Sequence, residues 1–98
     1  MKKQKSARKV STKREDPDNR TDQELLKLGD RIKKLRVKKG YTSYEIFAFE
    51  NGINRAQFGR YERGEDLRYS SLLKVCDALG VTIKEFFSDG FDSNLPIK

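Results

Sequence analysis

The chain contains no histidine, no tryptophan, one cysteine and two prolines. Without histidine it lacks the commonest general base near neutral pH. A single thiol allows neither an internal disulfide nor the soft ligand set of a structural zinc site. The carboxylates Glu45, Glu50 and Glu62 stand in no paired setting that suggests acid–base work, so the expectation is no catalytic residue, no metal and no cofactor. No apolar run approaches the roughly 18 residues of a membrane span, and the basic N-terminus is not followed by the apolar stretch of a secretion signal. A cytoplasmic protein without membrane contact is expected.

What is present is charge: 22 Lys and Arg against 15 Asp and Glu, a formal +7 over 98 residues. Such an excess points to an anionic partner. Five of the seven net charges fall in residues 1–20, where eight basic residues face Glu15, Asp16 and Asp18. With Met1 and Val10 as its only sizeable apolar residues, that stretch cannot offset its chain entropy by burial, and it is expected to be a disordered basic tail. Two readings of it stay open, a solubilising extension (or a translation start placed too early) and an arm that tracks phosphates.

From Thr21 the pattern is helical. Thr21-Asp22-Gln23-Glu24 has the form of a capping box, and Leu25, Leu28, Ile32 and Leu35 return at helical spacing, predicting a first helix over about 22–39 that Gly40 stops. Thr42-Ser43-Tyr44-Glu45 predicts a second capping box opening a helix of about two turns, ended by Asn51-Gly52. Asn54 is placed to cap a third helix over about 55–63, with Gln57 reciprocating and Phe58 and Tyr61 on its buried side. A fourth helix carries Leu72, Leu73, Val75, Cys76 and Leu79, starts near Tyr69 or Ser70, and stops at Gly80. A fifth opens on the capping box Thr82-Ile83-Lys84-Glu85 and packs Phe86 and Phe87. No alternating run competes, so the fold class is all-α, with residues 21–88 as the folded domain and 89–98 as a loose tail.

The aromatics Tyr41, Phe47, Phe49, Phe58, Tyr61, Tyr69, Phe86 and Phe87 are expected in the core rather than on a base-stacking surface. Cys76, amid an apolar helix face, is expected to be a buried, unreactive thiol.

The stretch from Phe47 to Gly64 reads as helix, tight turn, helix. Ala48 allows close crossing, Gly52 permits the turn, Ile53 plugs the corner, and Phe58 and Tyr61 pin the third helix from beneath, which together define a helix-turn-helix. Arg55, Ala56, Gly59 and Arg60 fall on the face opposite Phe58 and Tyr61. Gly59, costly inside a helix, reads either as room for close backbone approach or as drift.

Around this motif stand Leu28-Gly29-Asp30-Arg31-Ile32-Lys33-Lys34-Leu35-Arg36 before it, Tyr61-Glu62-Arg63-Gly64 at its end and Leu72-Leu73-Lys74-Val75-Cys76-Asp77-Ala78-Leu79-Gly80-Val81 after it. In these three ordered blocks, over about 28–87, the sequence resembles the phage-repressor-like helix-turn-helix family, the XRE family of lambda repressor/Cro type. It departs from the pattern in having Tyr44 where glutamine is usual, Phe47 where leucine is usual, and one extra residue between Gly40 and Ala48.

The resemblance implies a compact five-helix bundle whose third helix enters the major groove while the second lies across the backbone. It implies a sequence-specific double-stranded DNA-binding transcriptional regulator, a homodimer on half-sites about one helical turn apart. Arg55, Ala56, Gln57 and Arg60 become the candidate base readers: arginine for guanine, glutamine for adenine, alanine for a thymine methyl. Ser43, Tyr44, Asn54, Arg63 and Arg68 become the candidate phosphate contacts. Arg36 and Glu62 are assigned, by resemblance, a structural ion pair. The dimer surface is expected at the fifth helix with Phe91, Leu95 and Ile97. The alternative is an antitoxin-like protein-interaction module, its partner held by the tails and its DNA binding secondary.

Overall fold

Residues 20–91 are described by the computed structural model of the chain. They form α1 (Arg20–Lys38), α2 (Tyr44–Glu50), α3 (Arg55–Glu62), α4 (Tyr69–Leu79) and α5 (Ile83–Phe86), with no strand among the described residues. The expected basic tail, apart from Arg20, and residues 92–98 of the expected C-terminal tail lie outside them.

The helical spacings close one core. Ile32 and Leu35 of α1, Phe47 and Ala48 of α2, Phe58 and Tyr61 of α3, Leu72, Val75, Cys76 and Leu79 of α4, and Phe86 of α5 are all buried together. Phe47 lies at the centre, its ring 5.2 Å from that of Phe58 and edge-on to that of Tyr41 at 5.0 Å. Cys76 is buried there, and burial raises its thiol pKa above the ordinary value, with the nearby Asp77 charge adding to the shift.

The helix ends depart from expectation in two places. Arg20 and Thr21 are already helical, so Thr21 stands within the first turn of α1 and does not cap it. Glu24 pairs with Lys27 one turn on, at 2.9 Å. At α2 the cap is Ser43, not Thr42: Ser43 has the extended backbone a cap requires, and its Oγ accepts from the Ile46 N–H at 3.2 Å. Other signals hold, though the Gln57 side chain makes no bond back to Asn54. Asn54 Oδ1 accepts from the Gln57 N–H at 2.9 Å. Thr82 and Glu85 form the reciprocal capping box, and Gly80 ends α4 in the left-handed conformation. Arg68 precedes α4 without a side-chain cap, Tyr69 being its first residue.

Three aromatics expected inside are outside: Phe49 is 74% exposed, Tyr69 61% and Phe87 41%. In α2 the inward positions are taken by Phe47 and Ala48, and the next residue turns about 100° away from them. Tyr69 opens α4 a full turn before the first buried position, Leu72. Phe87 caps the C-terminus of α5 and lies against Phe86 and Phe91, with ring centroids at 4.9 and 4.8 Å.

Two contacts across the fold fix how α1 meets its neighbours. Gly29 lies so close to the end of α3 that a Cβ there would be 2.6 Å from the carbonyl oxygens of both Tyr61 and Glu62. Arg31 ties α1 to α5: its Nε donates to the Phe86 carbonyl at 2.7 Å and its Nη2 to that of Glu85 at 2.9 Å. The Phe86 carbonyl is one that a helix C-terminus leaves without an intrahelical donor, while that of Glu85 also accepts from the Ser88 N–H and hydroxyl.

Candidate nucleic-acid interface

An eight-residue helix is too short to hold itself in water, so α3 takes its geometry from what surrounds it. Phe58 is fully buried and Tyr61 nearly so, which turns the opposite side of α3 to solvent. Arg55, Ala56, Gln57 and Arg60 are all exposed on it. The turn before α3 is set by Gly52, at φ +70°, and by the Ile53 N–H, which donates to the Ala48 carbonyl at 2.9 Å.

The far end of α3 is tied to α1 by the pair expected from the resemblance. Arg36 Nε donates to Glu62 Oε2 at 2.7 Å and Nη2 to Oε1 at 3.0 Å, a two-pronged contact that both side chains make while almost wholly buried. The third prong, Nη1, donates to the Tyr41 carbonyl at 2.7 Å, so the guanidinium also holds the loop between α1 and α2. That loop is braced again on the surface. The Tyr41 hydroxyl donates to Glu50 Oε1 at 2.7 Å, and this bond to a carboxylate raises the phenol pKa above its ordinary 10.0.

Gly59 does not share the exposed face with Arg55 and Arg60, as its position in the sequence suggested. It is buried, and a Cβ on it would lie 2.7 Å from Cε1 of Tyr44. Its lack of a side chain makes room for close approach, and the group approaching is the Tyr44 ring. Tyr44, expected at a phosphate, is therefore half-buried against α3.

Of the other expected phosphate contacts, Ser43 and Asn54 use an oxygen lone pair each in capping. The Ser43 hydroxyl proton and the Asn54 amide protons stay available to donate. Arg63 and Arg68 are both exposed and line different recesses beside α3. Arg68 joins Gln57, Arg60 and Ser71 around an open recess of about 460 Å³ between α3 and the loop to α4. Arg63 joins Lys33 and Tyr44 around another of about 230 Å³. The recess beside Arg60 also holds Glu65, whose Oε1 is 3.3 Å from Arg60 Nε. Sequence reasoning missed that pair, as it missed Gly29 and Arg31, because each depends on a contact that no helical period announces.

Among the described residues no cluster of His, Cys, Asp or Glu is arranged to hold a metal ion, and no helix is long and apolar enough to cross a membrane.

Comparison with known proteins agrees with this geometry. The family model of the Cro/C1-type HTH DNA-binding domain matches residues 31–92. Control protein C.MunI of Mycoplasma sp is 34% identical over 65 residues, covering 65% of this chain and 88% of that protein. The crystal structure of the restriction-modification controller protein C.AhdI from Aeromonas hydrophila is similar with a TM-score of 0.58 and 38% identity, over 64% of this chain and 96% of that one. A buried-core helix-turn-helix, a basic chain and relatives named as controllers agree: the chain is a DNA-binding transcriptional regulator and belongs to the Cro/C1-type helix-turn-helix family.

Proposed function

We propose that the protein controls the genes of a restriction–modification system, as its relatives' names suggest, by binding a specific duplex site as a homodimer with α3 in the major groove. The observation that carries this reading is the division of α3 into a locked inner side, Phe58 and Tyr61, and an outer side of Arg55, Ala56, Gln57 and Arg60, all exposed. The outer side reads bases. Each arginine has the planar fork that matches guanine O6 and N7, Gln57 suits adenine, and Ala56 meets a thymine methyl. Ser43, Tyr44, Asn54, Arg63 and Arg68 contact phosphates on either side and fix the register.

The dimer forms through α5, where Phe87 is 41% exposed and lies against the half-buried Phe91. Leu95 and Ile97 of the same expected surface lie outside the described residues. Two copies related by a two-fold axis present two α3 helices to successive major grooves, so the site is palindromic.

Selection of bound duplexes from a random library at fixed salt tests this, with Arg55→Ala and Arg60→Ala proteins beside the wild type. A palindromic consensus is expected, with each variant relaxing particular bases by about 1–3 kcal/mol. Weak, sequence-blind binding that depends on residues 1–20 would refute it and favour a protein-interaction module.

A further inference from the structure

The geometry points to Glu65 as a specificity-determining residue: its carboxylate lies against the Nε side of the Arg60 guanidinium and biases it towards offering its terminal Nη edge to DNA, which favours guanine. This rests on the reading of α3 as the base-reading helix.

The end of α3 is a closed turn. Gly64, at φ +99°, lets its own N–H donate to the Tyr61 carbonyl at 3.1 Å while the Glu65 N–H donates to the Arg60 carbonyl at 3.0 Å. These are the two crossing bonds of a Schellman ending, and they tie the backbone of Glu65 to that of Arg60 itself. The side chains repeat the connection, Glu65 Oε1 lying 3.3 Å from Arg60 Nε. The closing turn thus places Glu65 beside Arg60 in the fold.

A stabilising role does not account for it. The two side chains are 46% and 57% exposed, and ion pairs in such a setting add little to stability. At the surface offered to a polyanion, a carboxylate is repelled by phosphates, in a chain whose formal charge is +7. Its effect falls on the arginine. A guanidinium carries five N–H donors in one plane, and a free one on a flexible stem satisfies a phosphate as readily as a base. With Glu65 Oε1 3.3 Å from Nε, the carboxylate stands beside the side-on Nε/Nη edge and disfavours a second anion there. The end-on Nη1/Nη2 edge stays open, with the spacing that guanine O6 and N7 accept. The same carboxylate penalises contacts that bring a phosphate towards Arg60, an unfavourable element that sharpens the choice of partner.

The test uses the full chain as wild type, Arg60→Ala and Glu65→Gln. Binding is read by fluorescence anisotropy at fixed salt on the site that the wild type selects, on its single base-pair substitutions and on a scrambled duplex. Arg60→Ala defines the base pair that Arg60 reads, with an expected loss of discrimination there on the order of tenfold. Glu65→Gln, which keeps the shape and removes the charge, is expected to lower discrimination at that same base pair by about two- to fivefold. It leaves the positions read by Arg55 unchanged and binds the scrambled duplex at least as tightly as the wild type does. Wild-type discrimination in Glu65→Gln would make Glu65 a bystander, and sharper discrimination would make it a competitor of DNA for Arg60. Either overturns the inference while leaving α3 as the reader. A wild type that selects no site, or an Arg60→Ala protein that loses no position, overturns the reading of α3 and the role of Glu65 with it.

Discussion

Removing the Glu62 carboxylate should take away a large part of the protein's stability. In Glu62→Ala, two of the three hydrogen bonds of the Arg36 guanidinium disappear, those at 2.7 and 3.0 Å, and only the bond to the Tyr41 carbonyl remains. Arg36 is 3% exposed, so water does not replace the lost acceptor without opening the junction between α1 and α3. Breaking a buried pair from one side costs about 3–5 kcal/mol, because a charge is left buried without compensation. A folded unit of this size has roughly 4–11 kcal/mol to lose at about 0.05–0.15 kcal/mol per residue. The variant should therefore keep at most about 8 kcal/mol, and none where the wild type lies at the low end of that range.

Urea unfolding followed by far-UV circular dichroism reads this as a lower midpoint with an unchanged slope. Because the penalty belongs to the orphaned charge and not to the pair as such, the double replacement Arg36→Met with Glu62→Leu should recover most of the loss, ending within about 2 kcal/mol of wild type or above it. A Glu62→Ala protein less than about 1 kcal/mol weaker, or a double variant as weak as the single one, would refute the reasoning.

Gly29→Ala should destabilise by about 1–3 kcal/mol although alanine is the better helix former by about 1 kcal/mol, since the new methyl would meet the Tyr61 and Glu62 carbonyl oxygens at 2.6 Å and backbone cannot step aside. Thermal melting checks it, and a rise in Tm would show that α1 and α3 can separate without cost. The hydrogen bond from Tyr41 to Glu50 raises the phenol pKa above 10.0 in the folded state. Its contribution to stability is therefore fully present below pH 10.0 and is lost as pH rises through the folded value. In Glu50→Gln the Tyr41 transition should fall back towards the ordinary value, read from tyrosinate absorbance against a Tyr41→Phe background. An unmoved transition would sever the bond from the shift.

The stops were the most legible features of the chain, because Gly52, Gly64 and Gly80 adopt positive φ where the helical patterns end. The inward face of α4 was legible too, since Leu72, Val75, Cys76 and Leu79 span two full turns and repeat the period often enough to fix its phase. Short helices defeat the same logic. In α2 three aromatic or aliphatic neighbours of Ala48 compete for one inward strip, and nothing local says that Phe47 wins while Ile46 and Phe49 face solvent. Caps err by one residue when two hydroxyls adjoin, as Thr42 and Ser43 do. Gly59 announced a close approach without announcing Tyr44, and Gly29 announced nothing, because a glycine in a helix reveals its partner only when another helix is laid across it. Arg36 with Glu62 lay within reach only through the ordered blocks of a known family. Arg60 with Glu65 lay within reach of neither route, since it follows from the turn that Gly64 makes.

These contacts divide the molecule into parts that can change independently. Base reading needs a guanidinium placed to within about half an ångström, and such placement comes from supports whose own rotamers are locked. Every support of α3 lies on its inner side or at its ends: Phe58 and Tyr61 in the core, Gly59 under Tyr44, Asn54 at the start, and Glu62 on Arg36 at the finish. None of the four candidate readers is among them. Substitutions at Arg55, Ala56, Gln57 or Arg60 should therefore alter the preferred site with stability held within about 0.5 kcal/mol, the usual range for exposed positions. Substitutions at the supports should move stability first and DNA choice only through it. Glu65 falls between the two classes, fixed by the closing turn of α3 yet exposed beside a reader. In an arrangement of this kind it is the position where one charge can retune recognition without disturbing the fold.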